Sequence, residues 1–125
     1  MKELMAVVRS NKVGKTKNAL AAAGFPGFTC LPCLGRGKKL MDPGVLKLIM
    51  ESGELPLTAA GESMTEASRL IPKRLFNIVV EDDRVSDVVD VLIAVNSTGH
   101  PGDGRIFILP VEESYSVRIG ERCGA

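Results

Sequence analysis

The chain has 125 residues, enough for one domain with a single modest core, and its 45% apolar and 25% charged residues are the balance of a globular protein. A formal net charge of +1, 4% aromatic residues and no Trp supply neither the cationic excess nor the stacking platforms that nucleic-acid binding needs. No window approaches the roughly 18 uninterrupted apolar residues of a membrane span, and Met1-Lys2-Glu3-Leu4-Met5 lacks the apolar core of a signal peptide, so a cytoplasmic location without stable membrane association is expected.

Residues 3 to 8 (Glu-Leu-Met-Ala-Val-Val) read as a short strand, and Lys12 to Ala23 as a helix whose inner face holds Val13, Leu20 and neighbouring alanines. Gly24 then ends that helix in the manner of a C′ glycine. Phe28 to Leu34 is a second strand. The insert from about Lys38 to Leu70 is too long for an ordinary connection. It mixes Pro43, Pro56, Gly44, Gly53 and Gly61 with Leu, Met and Glu, and Val45 to Met50 could form a helical turn or two when docked. Such loops on rigid scaffolds often carry recognition.

Arg74 to Val80 is a third strand, apolar apart from its basic start and one Asn. Glu81-Asp82-Asp83 offers an N-cap and an acidic first turn for the next helix, in which Val85, Val88, Val89, Leu92 and Ile93 recur at helical spacing. A glycine-rich loop follows, then a strand from Ile106 to Val111 and a brief extended piece around Tyr115 to Ile119. The order is two β-α-β halves. They fold most economically as a single α+β domain, a ferredoxin-like βαββαβ antiparallel sheet with both helices on one face. The uncovered apolar sheet face predicts a trimer or dimer.

The loop Ser97-Thr98-Gly99-His100-Pro101-Gly102-Asp103-Gly104-Arg105 is the leading candidate site. Its glycines let backbone N–H groups turn toward an anion and its arginine adds a permanent cation, although any tight connection uses similar residues. A second cluster, Leu34-Gly35-Arg36-Gly37-Lys38-Lys39, strengthens the nucleotide reading if the fold brings the two together.

Three other motifs are set aside. Cys30-Leu31-Pro32-Cys33 is a C-x-x-C, but strand positions three apart point to opposite faces and a single His cannot complete a zinc site; Cys123 is an incidental thiol. Gly14-Lys15-Thr16 carries the end of a Walker A loop, yet Arg9 stands where its first glycine is required. His100 sits beside Pro101 without a paired nucleophile or orienting acid. No catalytic constellation and no metal cluster stands out.

The chain resembles the PII nitrogen regulatory signal-transduction proteins. The matching residues are Met1-Lys2 with Arg9, the helix end Ala23-Gly24-Phe25, Thr29 and the Gly35-x-Gly37-Lys38 run. Thr98-Gly99-x-x-Gly102-Asp103-Gly104-Arg105-Ile106-Phe107 is close to the family's B-loop (about 97–105), and Arg118-Ile119-Gly120-Glu121 resembles its C-terminal stretch (about 112–125). The insert, about 38–70, is then the T-loop with which the family touches its targets.

The resemblance implies a trimer that binds ATP or ADP in clefts between subunits and senses 2-oxoglutarate together with Mg-ATP. Gly35, Gly37 and Lys38 would flank the nucleotide at the T-loop base, while Gly102, Asp103, Gly104 and Arg105 would wrap its phosphates. Thr29, Val79 and Arg118 would line the purine side, with Arg118 also reaching the phosphates, and Lys73 would pair with a 2-oxoglutarate carboxylate. Lys39 replaces the usual glutamine that helps place magnesium and 2-oxoglutarate, Asn77 replaces a glutamate, and Ser116 replaces a second arginine. The only tyrosine is Tyr115, so uridylylation at a T-loop tyrosine is excluded.

The Gly-Arg-Gly-Lys wording and enlarged loop look most like the nitrogenase-associated PII-like branch of archaea and some anaerobic bacteria. Its members work in pairs, which implies a homotrimer or a hexamer mixed with a paralogue, and they block dinitrogenase when fixed nitrogen is plentiful. A second reading is control of an ammonium transporter or glutamine synthetase. Readings of other classes are a small nucleotide-using or thiol enzyme and a purely structural assembly protein.

Overall fold

The structure, a computed structural model, describes residues 1–37 and 70–125. They fall into two compact units, Met1–Cys33 with Pro72–Ala125, and Leu34–Ile71. Lys38, Lys39, the Val45–Met50 stretch and nearly all of the expected T-loop lie outside the described residues.

The first strand, β1 (Lys2–Arg9), buries every second side chain: Leu4, Ala6 and Val8 enter the core, while Glu3, Met5, Val7 and Arg9 face the other way. A 3-10 turn, Ser10–Lys12, leads into α1 (Val13–Ala22). The N–H groups of Gly24 and Phe25 donate to Ala21 O (3.1 Å) and Leu20 O (2.8 Å), with Gly24 at φ 90°. This is the helix ending expected for a C′ glycine, and it places Phe25 beside Leu20 in the core.

Strand β2 (Thr29–Gly35) and strand β3 (Ile71–Val80) are neighbours in the sheet, and β3 buries Phe76, Ile78 and Val80. After a 3-10 turn at Asp82–Arg84 comes α2 (Val85–Asn96), which buries Val88 and Leu92 against the same core. Strand β4 (Arg105–Pro110) completes a four-stranded sheet of order β2-β3-β1-β4, in which β1 runs antiparallel to both of its neighbours. Strand and helix residues meet in one core on one side of the sheet, which is the expected ferredoxin-like α+β arrangement. The other face presents Leu31, Val79, Phe107 and Leu109, each between 39% and 50% exposed.

Two local expectations differ from what is found. The acidic run before α2 does not cap it, since neither helical start has a side-chain cap. Asp82 instead accepts from the N-terminal ammonium at 2.7 Å and lies 3.1 Å from Lys2, while Glu81 accepts the Ala125 N–H at 2.8 Å. Full positive charges outcompete exposed backbone N–H groups for Asp82, and the ammonium, then Lys2, hold its carboxyl below the usual range. The C-terminal stretch is also not one extended piece. It is a hairpin of β5 (Ser114–Ser116) and β6 (Glu121–Cys123), whose turn is closed by the Gly120 N–H on Ser116 O at 2.8 Å.

Candidate anion-binding loop

The glycine-rich segment between α2 and β4 is organised by one carboxylate. Asp103 Oδ2 accepts the N–H groups of Thr98 (2.7 Å) and Gly99 (3.0 Å), while Oδ1 accepts the Thr98 hydroxyl and the Arg9 guanidinium. These donors, led by the Thr98 hydroxyl and then its N–H, hold the Asp103 carboxyl far below the usual carboxylate range. Sequence reasoning expected Asp103 at the phosphates; here its oxygens brace the loop and orient Arg9.

Arg9 reaches the loop because β1 ends beside it. The strand's two-residue period sets Arg9 on the face away from the helices, directly opposite Lys73 in the β1–β3 ladder. Arg9 also donates to Pro101 O (2.9 Å) and Thr98 Oγ1 (3.2 Å), and Lys73 Nζ donates to Gly102 O at 2.7 Å. A Cβ at Gly102 would lie 3.3 Å from Arg9 Nη2 and 3.5 Å from Lys73 Nζ, so both cations converge on that residue. Partial burial first, and Arg9 second, hold the Lys73 ammonium below its ordinary value, with Asp103 and Cys33 opposing. Arg9 and Lys73 repel each other, and of the two only Arg9 is bonded to the Asp103 carboxylate. An incoming anion would relieve their repulsion.

Gly104 brings β4 against β1 at a place where no side chain fits: a Cβ there would sit 1.9 Å from Val7 O. Arg105 follows, paired with Val7 across the ladder. Behind the loop, a groove of about 420 Å³ between α2 and β4 is walled by Val89, Leu92, Ile93, Ile106 and Ile108, with Asn96 and Arg105 among its polar lining.

Of the remaining expected residues, Val79, Thr29 and Arg118 lie on other elements of the first unit. Val79 is exposed on the same face of β3 as Lys73 but six positions further along, roughly 20 Å at strand rise. Thr29 is exposed at the start of β2, and Arg118 lies in the exposed hairpin turn. Gly35 and Gly37 belong to the second unit. Two residues noted in the sequence without a role of their own matter here, Arg9 and Thr98. Arg9 could have been found from its register on β1, and Thr98 from its place just before the first loop glycine.

Among the described residues, no group of three or more His, Cys, Asp or Glu side chains could hold a metal ion, and no helix is long and apolar enough to cross a membrane. The three cysteines are free thiols.

The fold is that of a regulator family: residues 1–121 match the family described as Nitrogen regulatory protein P-II, and the chain belongs to it. P-II proteins are signal transducers that act as trimers and contact target proteins. The chain is 44% identical to Nitrogen fixation nifHD region GlnB-like protein 2 of Methanothermococcus thermolithotrophicus, over 97% of this chain and 94% of that one. It is 38% identical to the protein of the same description from Methanococcus maripaludis, with 98% and 96% covered. The GlnB-like protein 1 of M. thermolithotrophicus is also 38% identical, with 97% of each chain covered. Among solved structures, Arabidopsis thaliana PII bound to citrate matches with a TM-score of 0.69 and 26% identity, over 98% of this chain and 84% of that one.

Proposed function

We propose that the protein is a sensor of the nitrogen-fixation apparatus. It binds ATP or ADP at the clefts of a homotrimer, or of a hexamer mixed with a paralogue. It takes 2-oxoglutarate with magnesium at Arg9, Lys73 and the Gly102 loop. The ligand state then sets whether the 38–70 arm contacts dinitrogenase and inhibits it when fixed nitrogen is plentiful. The convergence of Arg9 and Lys73 on Gly102, in a chain 44% identical to a nifHD-region GlnB-like protein, carries this reading. Both Asp103 oxygens are committed to the loop, so any magnesium would be held by ligand oxygens rather than by this carboxylate. A switch of this kind requires that the ligand favour one loop state energetically.

In this reading Arg105 and Arg118 meet phosphates, and Thr29, Val79, Gly35 and Gly37 flank the base and the T-loop root. Lys38 and Lys39 would add cations near the effector. The protein is a transducer rather than an enzyme, with slow or absent ATP hydrolysis. Calorimetry with ATP, ADP and 2-oxoglutarate tests the sensor, and inhibition of purified dinitrogenase by the protein tests the target. No heat with any of these ligands would remove the sensor reading. Lys73→Ala is expected to weaken 2-oxoglutarate binding about tenfold, the scale of one charge-assisted hydrogen bond, and to leave folding intact.

A further inference from the structure

We infer that Thr16 and Asn96 are a positioning pair that sets where the anion-binding loop leaves α2. Both side chains are almost fully buried, at 0% and 6% exposure, in a core that is otherwise apolar. Thr16 spends its single hydroxyl proton on Lys12 O at 2.7 Å, which frees the oxygen to accept from Asn96 Nδ2 at 3.2 Å. The second amide proton of Asn96 goes to Leu92 O at 3.0 Å, so only one amide orientation serves both acceptors. The result is a directed chain of hydrogen bonds from α2 to α1.

Two apolar side chains of similar size would pack at this position without the cost of burying polar atoms. What the polar pair adds is a unique register between the helices, because sliding either one breaks a bond that water cannot replace. Asn96 is the last residue of α2. At Ser97 the chain turns out, with ψ 121° and its N–H on Ile93 O at 2.9 Å, and the loop begins.

The other end of the loop is held from the same stretch of chain. Arg9 grips Asp103, and Thr16, seven positions later, grips Asn96. The loop is therefore suspended between two anchors that flank the Ser10–Lys12 turn, Arg9 at the end of β1 and Thr16 in the first turns of α1. Losing the Asn96 anchor lets the loop entry shift relative to Arg9 and Lys73 while the apolar core stays packed.

The inference rests on the anion-binding reading for its consequence but not for its geometry, so two readouts are needed. In ligand-free protein, hydrogen exchange at the Thr98 and Gly99 amides reports the loop alone; calorimetry with 2-oxoglutarate and ATP reports binding. The double variant Thr16→Val/Asn96→Leu, chosen to keep the volume apolar and the fold intact, should exchange those amides about tenfold faster and bind about tenfold more weakly, the scale of one lost buried hydrogen bond. Thr16→Ser, which keeps the hydroxyl, should match the parent in both. Unchanged exchange at Thr98 and Gly99 in a folded double variant would overturn the pair's role. Faster exchange in a protein that binds no anion even as the parent would support the pair and overturn the sensor reading instead.

Discussion

Gly104→Ala is expected to lower stability by about 3 kcal/mol or more, lowering the melting temperature by roughly 10 °C. Gly104 has φ 117°, which L side chains rarely adopt, and its missing Cβ would lie 1.9 Å from Val7 O and 3.0 Å from Val7 C. Both obstacles are backbone atoms of the central strand, so no rotamer change makes room. The alanine must break the Val7–Arg105 pairing or push the loop off β1. Gly99→Ala is the control. Its φ is also positive, 81°, yet no atom lies within 4 Å of the added carbon, so only the backbone penalty, on the order of 1 kcal/mol, applies. A melting temperature for Gly104→Ala no lower than that of Gly99→Ala would mean that the β1–loop contact does not set the position of β4.

Most of this framework is legible in the residues because the elements that build it obey local rules. The two-residue burial period of β1, the helical spacing of Val88 and Leu92, and Gly24 after α1 each point to what the fold contains. The B-loop is legible from its glycines. What lies beyond reach is the direction in which its charges are spent. Asp103 looks like part of a ligand shell, and only the folded loop brings its carboxylate onto four donors of the protein itself. Arg9 and Asp103 are 94 positions apart, as far beyond any local pattern as Glu81 and Ala125, whose contact displaces the expected helix cap. Thr16, set aside with the Walker-like triplet, becomes meaningful only when Asn96 arrives beside it, 80 positions later. Long-range pairings of polar groups carry no periodic signal, and these settle the details of the site.

Asp103→Asn sets two effects against each other. Removing a negative charge beside Arg9 and Lys73 makes the cradle more cationic, and simple attraction would then tighten anion binding. An amide, however, has one acceptor oxygen where the carboxylate has two. It cannot serve the Thr98 and Gly99 N–H groups on one side and the Thr98 hydroxyl with Arg9 on the other. Its NH2 would oppose donors on whichever side it faced. Loss of preorganised donors outweighs the electrostatic gain from removing one half-buried negative charge, so 2-oxoglutarate or ATP should bind roughly a hundredfold more weakly to the variant. Tighter binding would show that net charge, and not loop geometry, governs the site. Acidity provides an independent check. Because folding lowers the Asp103 pKa, its contribution is fully present above the unfolded carboxylate value of about 3.9 and is lost as the pH falls through the folded value. The stability gap between parent and Asp103→Asn should therefore stay constant from about pH 5 to 8 and narrow only in stronger acid. A gap that already narrows near neutral pH would mean that the carboxylate is not held by these donors.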